Sequence, residues 1–279
     1  MEQLERPIIV PWDFTHVAEN AFQHAVNISR SLHRDILLLH IVADKKDISS
    51  KESKLKLDCE KLGNESGKIP EAMVVAGSIF HAIGDTAKSL KAEMIIMGTH
   101  GRKGAQKLFG SKALKVVVSS RIPFLIVQEK PVSNKVDTIL MPIDFRSEHK
   151  EKSRWIQYLS SNFGARFIIL KKNVKDRGFK RKTLSNIKFI ETYLKGNDVP
   201  YEIVTASGKQ SFKKEIVSYA KEHEADLILV MATRNITWVD YVLGAPEQYI
   251  LANPEHLPVM CLNPKRVKLS GGFSATGSR

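Results

Sequence analysis

Short apolar runs alternate along the chain with longer stretches in which apolar residues recur at helical spacing. Five runs, Pro7–Trp12, Asp35–Val42, Ala72–Gly77, Ala92–Gly98 and Pro123–Gln128, are of strand length and close to uniformly apolar. Between them, Ala18–Leu32, Ile79–Lys91 and Ser111–Ser120 show helical periodicity, and the polar stretch Lys45–Glu65 is long enough for another helix. A strand that is apolar on both faces must be covered on both. This alternation therefore predicts a parallel sheet with helices on either side.

The pattern then starts again. IIVPWDF (Ile8–Phe14) returns as ILMPIDF (Ile139–Phe145), and AEMIIMGTHG (Ala92–Gly101) as ADLILVMATRN (Ala225–Asn235). FGS (Phe109–Ser111) returns as LGA (Leu243–Ala245), and IPFLIV as LPVMCL (Leu257–Leu262). The offset is 131 from Asp13 to Asp144 and 134 from Gly110 to Gly244. Such consistency predicts a tandem duplication of one α/β unit of roughly 135 residues. The units are expected at residues 1–132 and 136–265, joined through EKPVSNK (Glu129–Lys135), with the Gly/Ser-rich residues 266–279 as a disordered tail.

A chain of 279 residues with 43% hydrophobic content can build a core in each unit. No run reaches the roughly 20 apolar residues of a membrane span. The opening MEQLERPIIVPWD lacks the basic-then-apolar layout of a signal peptide, which sets the expectation of a cytoplasmic protein. Cys59 and Cys261 sit in no metal or redox spacing and read as free thiols of a reducing compartment. The net charge of +13 is uneven. Its excess concentrates in Lys171–Lys182 (KKNVKDRGFKRK), which has seven basic residues and one Asp. The run reads either as a solvated basic loop or helix face, or as a docking element for an acidic protein. Phe179 is its lone aromatic, so the run offers no ladder for stacking nucleic-acid bases. A nucleic-acid binder driven by charge alone would have to show steep salt dependence.

The segment from Gly98 to Lys112 holds the chemistry. Gly98 ends a strand, and ligands of open parallel sheets sit at the carboxyl ends of strands. Gly110-Ser111-Lys112 opens a helix, whose free N–H groups and partial positive charge suit an anion. Ser111 can donate to a phosphate oxygen or cap its own helix. Arg102, Lys103, Lys107 and Lys112 add positive charge nearby. A Walker loop is excluded by five residues between Gly104 and Gly110 and by Ser where Lys is needed. The dinucleotide fingerprint G-x-G-x-x-G is absent from the first strand–helix turn. His40 reads as a core histidine, and His100 as the one histidine placed for chemistry in the loop. No metal-ligand spacing is present among the histidines.

Pro11-Trp12-Asp13, His40-Ile41, Gly98-Thr99-His100-Gly101 and Gly110-Ser111 together resemble, in order and spacing, the landmarks of the universal stress protein family. The two halves carry the resemblance over nearly the whole chain. It implies a doubly wound, Rossmann-like α/β unit with a five-stranded parallel sheet, repeated and packed as an internal pseudo-dimer. It also implies ATP or a related adenine nucleotide, with or without Mg²⁺, held in the first half by Pro11, Trp12, Asp13, Ile41, Met97, Gly98, Gly101, Gly110, Ser111 and Lys112. The protein would then act as a regulatory or signalling module with at most slow hydrolysis, and no residue is assigned a catalytic role.

Two departures bear on that expectation. Eight residues rather than nine separate Gly101 from Gly110, and Trp12 fills the middle of P-x-D, where it would stack on a base or occupy its pocket. In the second half, Ala232, Asn235, Ala245 and Pro246 stand at the positions of Gly98, Gly101, Ser111 and Lys112. Each change weakens a phosphate cradle, which predicts one nucleotide site per chain. Gly98 is expected to serve either positive φ or close approach of a ligand. Asp13 is expected to contact the ligand, to cap the following helix, or both. The rival reading is a nucleotide-free interaction module that docks an acidic partner through Lys171–Lys182.

Overall fold

The structure, a computed structural model, describes residues 5–99, 122–146, 152–231 and 246–262. In the first half, β1 (Ile8–Pro11), α1 (His16–Leu32), β2 (Ile36–Val42), α2 (Ile48–Ser66), β3 (Glu71–Ala76), α3 (Ile79–Ser89), β4 (Met94–Gly98) and β5 (Phe124–Val127) follow the predicted order. The polar stretch after β2 is indeed helical, entered through a single 3-10 turn at Lys45–Asp47. The expected helix at Ser111–Ser120 lies outside the described residues. The second half runs β6 (Thr138–Ile143), α4 (Ser153–Phe163), β7 (Arg166–Lys171), α5 (Arg177–Gly196), β8 (Tyr201–Thr205), α6 (Phe212–Glu222), β9 (Leu227–Met231), α7 (Pro246–Leu251) and β10 (Val259–Leu262).

The ten strands form one sheet in the order β3-β2-β1-β4-β5-β10-β9-β6-β7-β8. Each half contributes five parallel strands in the same doubly wound order. The halves join by antiparallel pairing of β5 with β10, at Val259↔Ile126, Met260↔Leu125 and Cys261↔Phe124. Two antiparallel neighbours in one sheet are related by a twofold axis normal to it, so the same sheet face carries equivalent helices in both halves. One core holds Val10 and Leu38 with Phe22 of α1 and Leu55 of α2, and continues through Met141 and Phe167 to Ile156 of α4 and Ile190 of α5. The opposite core packs Ile9 and Ile95 on Ile83 of α3, and Leu140 and Ile228 on Ile216 of α6 and Ile250 of α7. Strand side chains alternate between these two cores with period two.

Polar contacts reinforce the seam. Asn20 donates to the Gln128 carbonyl, and Gln128 to the Asn253 carbonyl. At the amino-terminal edge of the sheet, the buried carboxylate of Glu93 meets Arg6 at 3.1 Å and Arg34 at 3.4 Å. It also accepts the phenolic O–H of Tyr158, from α4 of the other half, at 2.7 Å. Burial and the Glu93 carboxylate push the Tyr158 phenol well above its ordinary value.

Candidate functional site

At the carboxyl edge of the first half, β1 lies between β2 and β4. The helix leaving β1 covers one face, and the helix entering β4 covers the other. β1 and β4 pair only at Ile8↔Met94 and Ile9↔Ile95, whereas β1 and β2 stay paired through Pro11↔Leu39. The backbones therefore part beyond Ile95, and the split is the switch-point crevice in which open α/β sheets bind ligands. Pro11 and Asp13 stand on one lip of it, Ile41 on the adjacent strand, and Met97 and Gly98 on the other lip.

Asp13 is exposed there. Its Oδ1 accepts the backbone N–H of Thr15 at 3.2 Å and the Thr15 hydroxyl, closing the turn into α1. Among the described residues, its second oxygen meets no donor. Phe14, inside that turn, has φ 63°, a left-handed conformation that bulky residues rarely adopt. Its ring is held edge-on to His40 at 4.7 Å, with the Lys54 ammonium 4.0 Å above its centre. His40 Nδ1 lies 2.7 Å from the Trp12 carbonyl oxygen, so the two strand ends are tied by a side chain as well as by the ladder.

Two expectations about this site change. Trp12 does not present its ring to the crevice: it is 3% exposed, belongs to the α1–α2 core, and donates its indole N–H to Asp58 of α2 at 3.0 Å. It can serve a ligand only through its backbone. Gly98 does not adopt positive φ. A Cβ on it would lie 2.0 Å from the Val17 carbonyl oxygen and 2.4 Å from its carbon. The first turn of α1 thus packs on the bare backbone of β4, and this contact requires glycine without any ligand. Met97 is buried in the α3-side core and Ile41 half-buried beside it. Gly101, Gly110, Ser111 and Lys112, with His100, lie outside the described residues.

The second half repeats the turn with different chemistry around it. Asp144 Oδ1 accepts the Arg146 N–H at 2.9 Å, as Asp13 does that of Thr15. This shared geometry identifies the turn as one role of the aspartate in both halves. Here the carboxylate is 7% exposed and also paired with the Arg146 guanidinium at 3.1 Å. A cavity of about 430 Å³ opens at this edge, between Asp144, Lys152, Lys172, Phe212 and Val230. A larger cavity of about 600 Å³ lies beneath the linker, against Ile28, Leu125, Phe163 and Met260, and no candidate residue lines it. The sheet-edge crevice is therefore the candidate site, since the polar groups converge there.

The structure also brings in residues that the sequence pattern passed over. Phe14, Lys54 and Asp58 act through contacts between elements tens of residues apart, and only the recurrence of Phe after P-x-D in both halves pointed to Phe14. Among the described residues, no group of three His, Cys, Asp or Glu side chains is placed to hold a metal ion. No helix of the described residues is long and apolar enough to cross a membrane.

This architecture defines a tandem, doubly wound α/β protein with its candidate crevice at a topological switch point. A family model for the universal stress protein family matches residues 5–128. One universal stress protein of Methanocaldococcus jannaschii is 26% identical over 148 residues, covering 46% of this chain and 85% of that protein. A second from the same organism is 26% identical over 160 residues, covering 47% of this chain and 99% of that protein. The crystal structure of a universal stress protein from Archaeoglobus fulgidus shares the fold with a TM-score of 0.72 at 16% identity, over 93% of this chain and 97% of its own. The first half of the chain thus matches the universal stress protein family model, and the likeness in fold extends over both halves.

Proposed function

We propose that this protein acts as a universal stress protein that binds ATP or a related adenine nucleotide at the carboxyl edge of its first half, and that occupancy of the site is read as a regulatory signal. The observation that carries this reading is the convergence of Pro11, Asp13, Ile41, Met97 and Gly98 on the crevice where β1 and β4 part. The exposed Asp13 carboxylate has an oxygen left for a ribose hydroxyl or a phosphate-bound Mg²⁺. Gly101, Gly110, Ser111 and Lys112 would receive the phosphates on backbone N–H groups, the serine hydroxyl and the lysine. Asp13, the carboxylate of the described crevice, would contact ligand or metal rather than abstract a proton, so turnover would be slow. The two units at residues 1–132 and 136–265 would act as one body through their shared sheet.

Calorimetric titration with ATP and Mg²⁺ tests the reading, with Asp13→Ala and Ser111→Ala alongside the parent. Saturable binding with one ATP per chain, weakened by both substitutions, is the expected result. Two equivalent sites, or binding indifferent to both substitutions, would refute it. Trp12→Ala is a poor probe of the pocket, because emptying a buried indole costs about 3–5 kcal/mol of stability whatever the ligand does. The second reading, docking of an acidic protein, draws on Lys171–Lys182. Arg177 to Lys182 are all exposed at the start of α5, and Phe179 is 43% exposed among them.

A further inference from the structure

The second half lacks the residues of the glycine cradle, yet its sheet edge is neither filled nor neutral. The 430 Å³ cavity is lined by Arg146, Lys152, Lys172 and Lys213, with Asp144 as the one acid among the described residues that line it. Asp144 is already engaged by Arg146. The cations come from three separate elements that meet only in the fold. Arg146 and Lys152 follow β6, Lys172 follows β7, and Lys213 lies in the first turn of α6. Among the described residues, neither Lys172 nor Lys213 has an acidic partner. The register makes the contrast with the first half specific. β1 pairs Ile8 with Ile36, and β6 pairs Ile139 with Phe167, so Lys172 stands where Ile41 does.

Lys152 is the unusual member. It is fully buried, and its ammonium donates to the Pro142 carbonyl at 2.9 Å and the Leu229 carbonyl at 3.3 Å. Those carbonyls belong to β6 and β9, which pair only at Ile139↔Leu227 and Leu140↔Ile228 before they part. The lysine fills the split and satisfies both strands with two of its three donors, which leaves one for an acceptor in the cavity. Burying an ammonium among other cations is costly unless an anion joins them. Two phenyl rings, Phe145 and Phe212, stand in the wall among aliphatic side chains such as Ile216, Val230 and Ile250. Lys172 Nζ lies 5.8 Å from the centre of the Phe145 ring and 5.7 Å from that of Phe212, and Phe179 stacks on Phe145 at 4.3 Å. The amino terminus of α6 opens at Ser211 beside them, with no side chain capping it.

We propose that this cavity is a second ligand site, distinct in chemistry from the first, that binds a small phosphate ester through Lys152, Lys172 and Lys213, its organic ring lying against Phe145 and Phe212. The charge excess among the described residues selects a dianion, and the two phenyl rings favour a ring-bearing ester over the free ion. Burial, aided by Arg146, lowers the Lys152 ammonium to about 7, while Asp144 and Cys261 oppose the shift. A bound dianion would raise it again. The groups facing Lys152 are thus Asp144 and Arg146 after β6 and Cys261 of β10, with Lys172 and Lys213 across the cavity. Ester binding near pH 8 should draw a proton from solvent onto Lys152.

The test is calorimetry of the full chain with ribose 5-phosphate at pH 8, where the ester is already dianionic, in two buffers of different ionisation enthalpy. Ribose serves as the uncharged control. Expected are saturable binding of the phosphate but not of ribose, proton uptake approaching one per site, and affinity weakened about tenfold or more in Lys172→Glu or Lys213→Glu. Ser111→Ala, in the first half, should leave it unchanged. Both lysines reach solvent, so these variants test the site even if Lys152→Met fails to fold. No binding, binding indifferent to both charge reversals, or binding lost instead in Ser111→Ala would overturn the proposal. Failure of ATP to bind would leave it standing.

Discussion

Gly98→Ala separates a structural glycine from a ligand-binding one. Ordinary van der Waals contact begins near 3.4 Å, and the new Cβ would lie 2.0 Å from the Val17 carbonyl oxygen and 2.4 Å from its carbon. These are backbone atoms in the first turn of α1, so no rotamer change relieves the clash. α1 or β4 must shift by about 1.4 Å, the difference between 3.4 and 2.0 Å. α1 buries Phe22, Ala25 and Ile28 against the sheet, and such a shift loosens that packing along its length. Overpacking of this kind costs about 3 kcal/mol. In a chain of this size that corresponds to a fall of roughly 6–12 °C in Tm. Urea unfolding followed by far-UV circular dichroism, together with thermal melts without nucleotide, measures both quantities. If Gly98 existed only to admit a ligand, the unliganded alanine variant would match the parent in midpoint and Tm and lose nucleotide affinity alone. Equal stability would refute the packing argument.

Three further outcomes follow from buried polar groups. His24, with its ring 3.1 Å from the Glu129 carbonyl oxygen, is lowered to about 4 by burial. Its unfolded form takes up a proton first, so stability should be full above about pH 6.5 and fall by roughly 3 kcal/mol as pH drops toward 4. His24→Gln should flatten that part of a urea-midpoint-versus-pH curve, and an unchanged curve would exclude His24 as its source. Tyr158→Phe removes the hydroxyl that reaches across the seam to Glu93 and should cost about 1.5–3 kcal/mol in urea unfolding, a loss that should shrink in a Glu93→Gln background, where a neutral amide oxygen is the acceptor. Cys59 is buried, and its thiol is pushed up to about 12 by burial with help from Asp58. Cys261 is 1% exposed, so neither thiol should react with a disulfide reagent at pH 8 until urea unfolds the chain; fast reaction in native buffer would contradict their burial.

Elements whose apolar positions kept a single period were legible in the chain as written. The five strands of the first half and its helices α1, α2 and α3 lie where alternation and spacing put them, because burial on both faces leaves a strand no polar positions to blur it. The duplication was equally plain, since a constant offset needs no coordinates. Residues whose roles depend on a neighbour from another element were not legible. Trp12 follows the apolar run of β1, and nothing in its neighbourhood says that Asp58 of α2 will receive its N–H. Gly98 has the same letter whether a ligand or the Val17 carbonyl approaches it. Loss of glycine and serine made the second half read as inert, while its cations were scattered over about 70 residues between Arg146 and Lys213. The sequence by itself determined the class of fold and the repeat, because these rest on periodicity and local spacing. The tertiary structure decided the joining of β5 to β10 into one sheet, the turning of Trp12 into the core, and the gathering of Lys152, Lys172 and Lys213 around one cavity. Each of those depends on which distant surfaces fit together, and no local pattern encodes that.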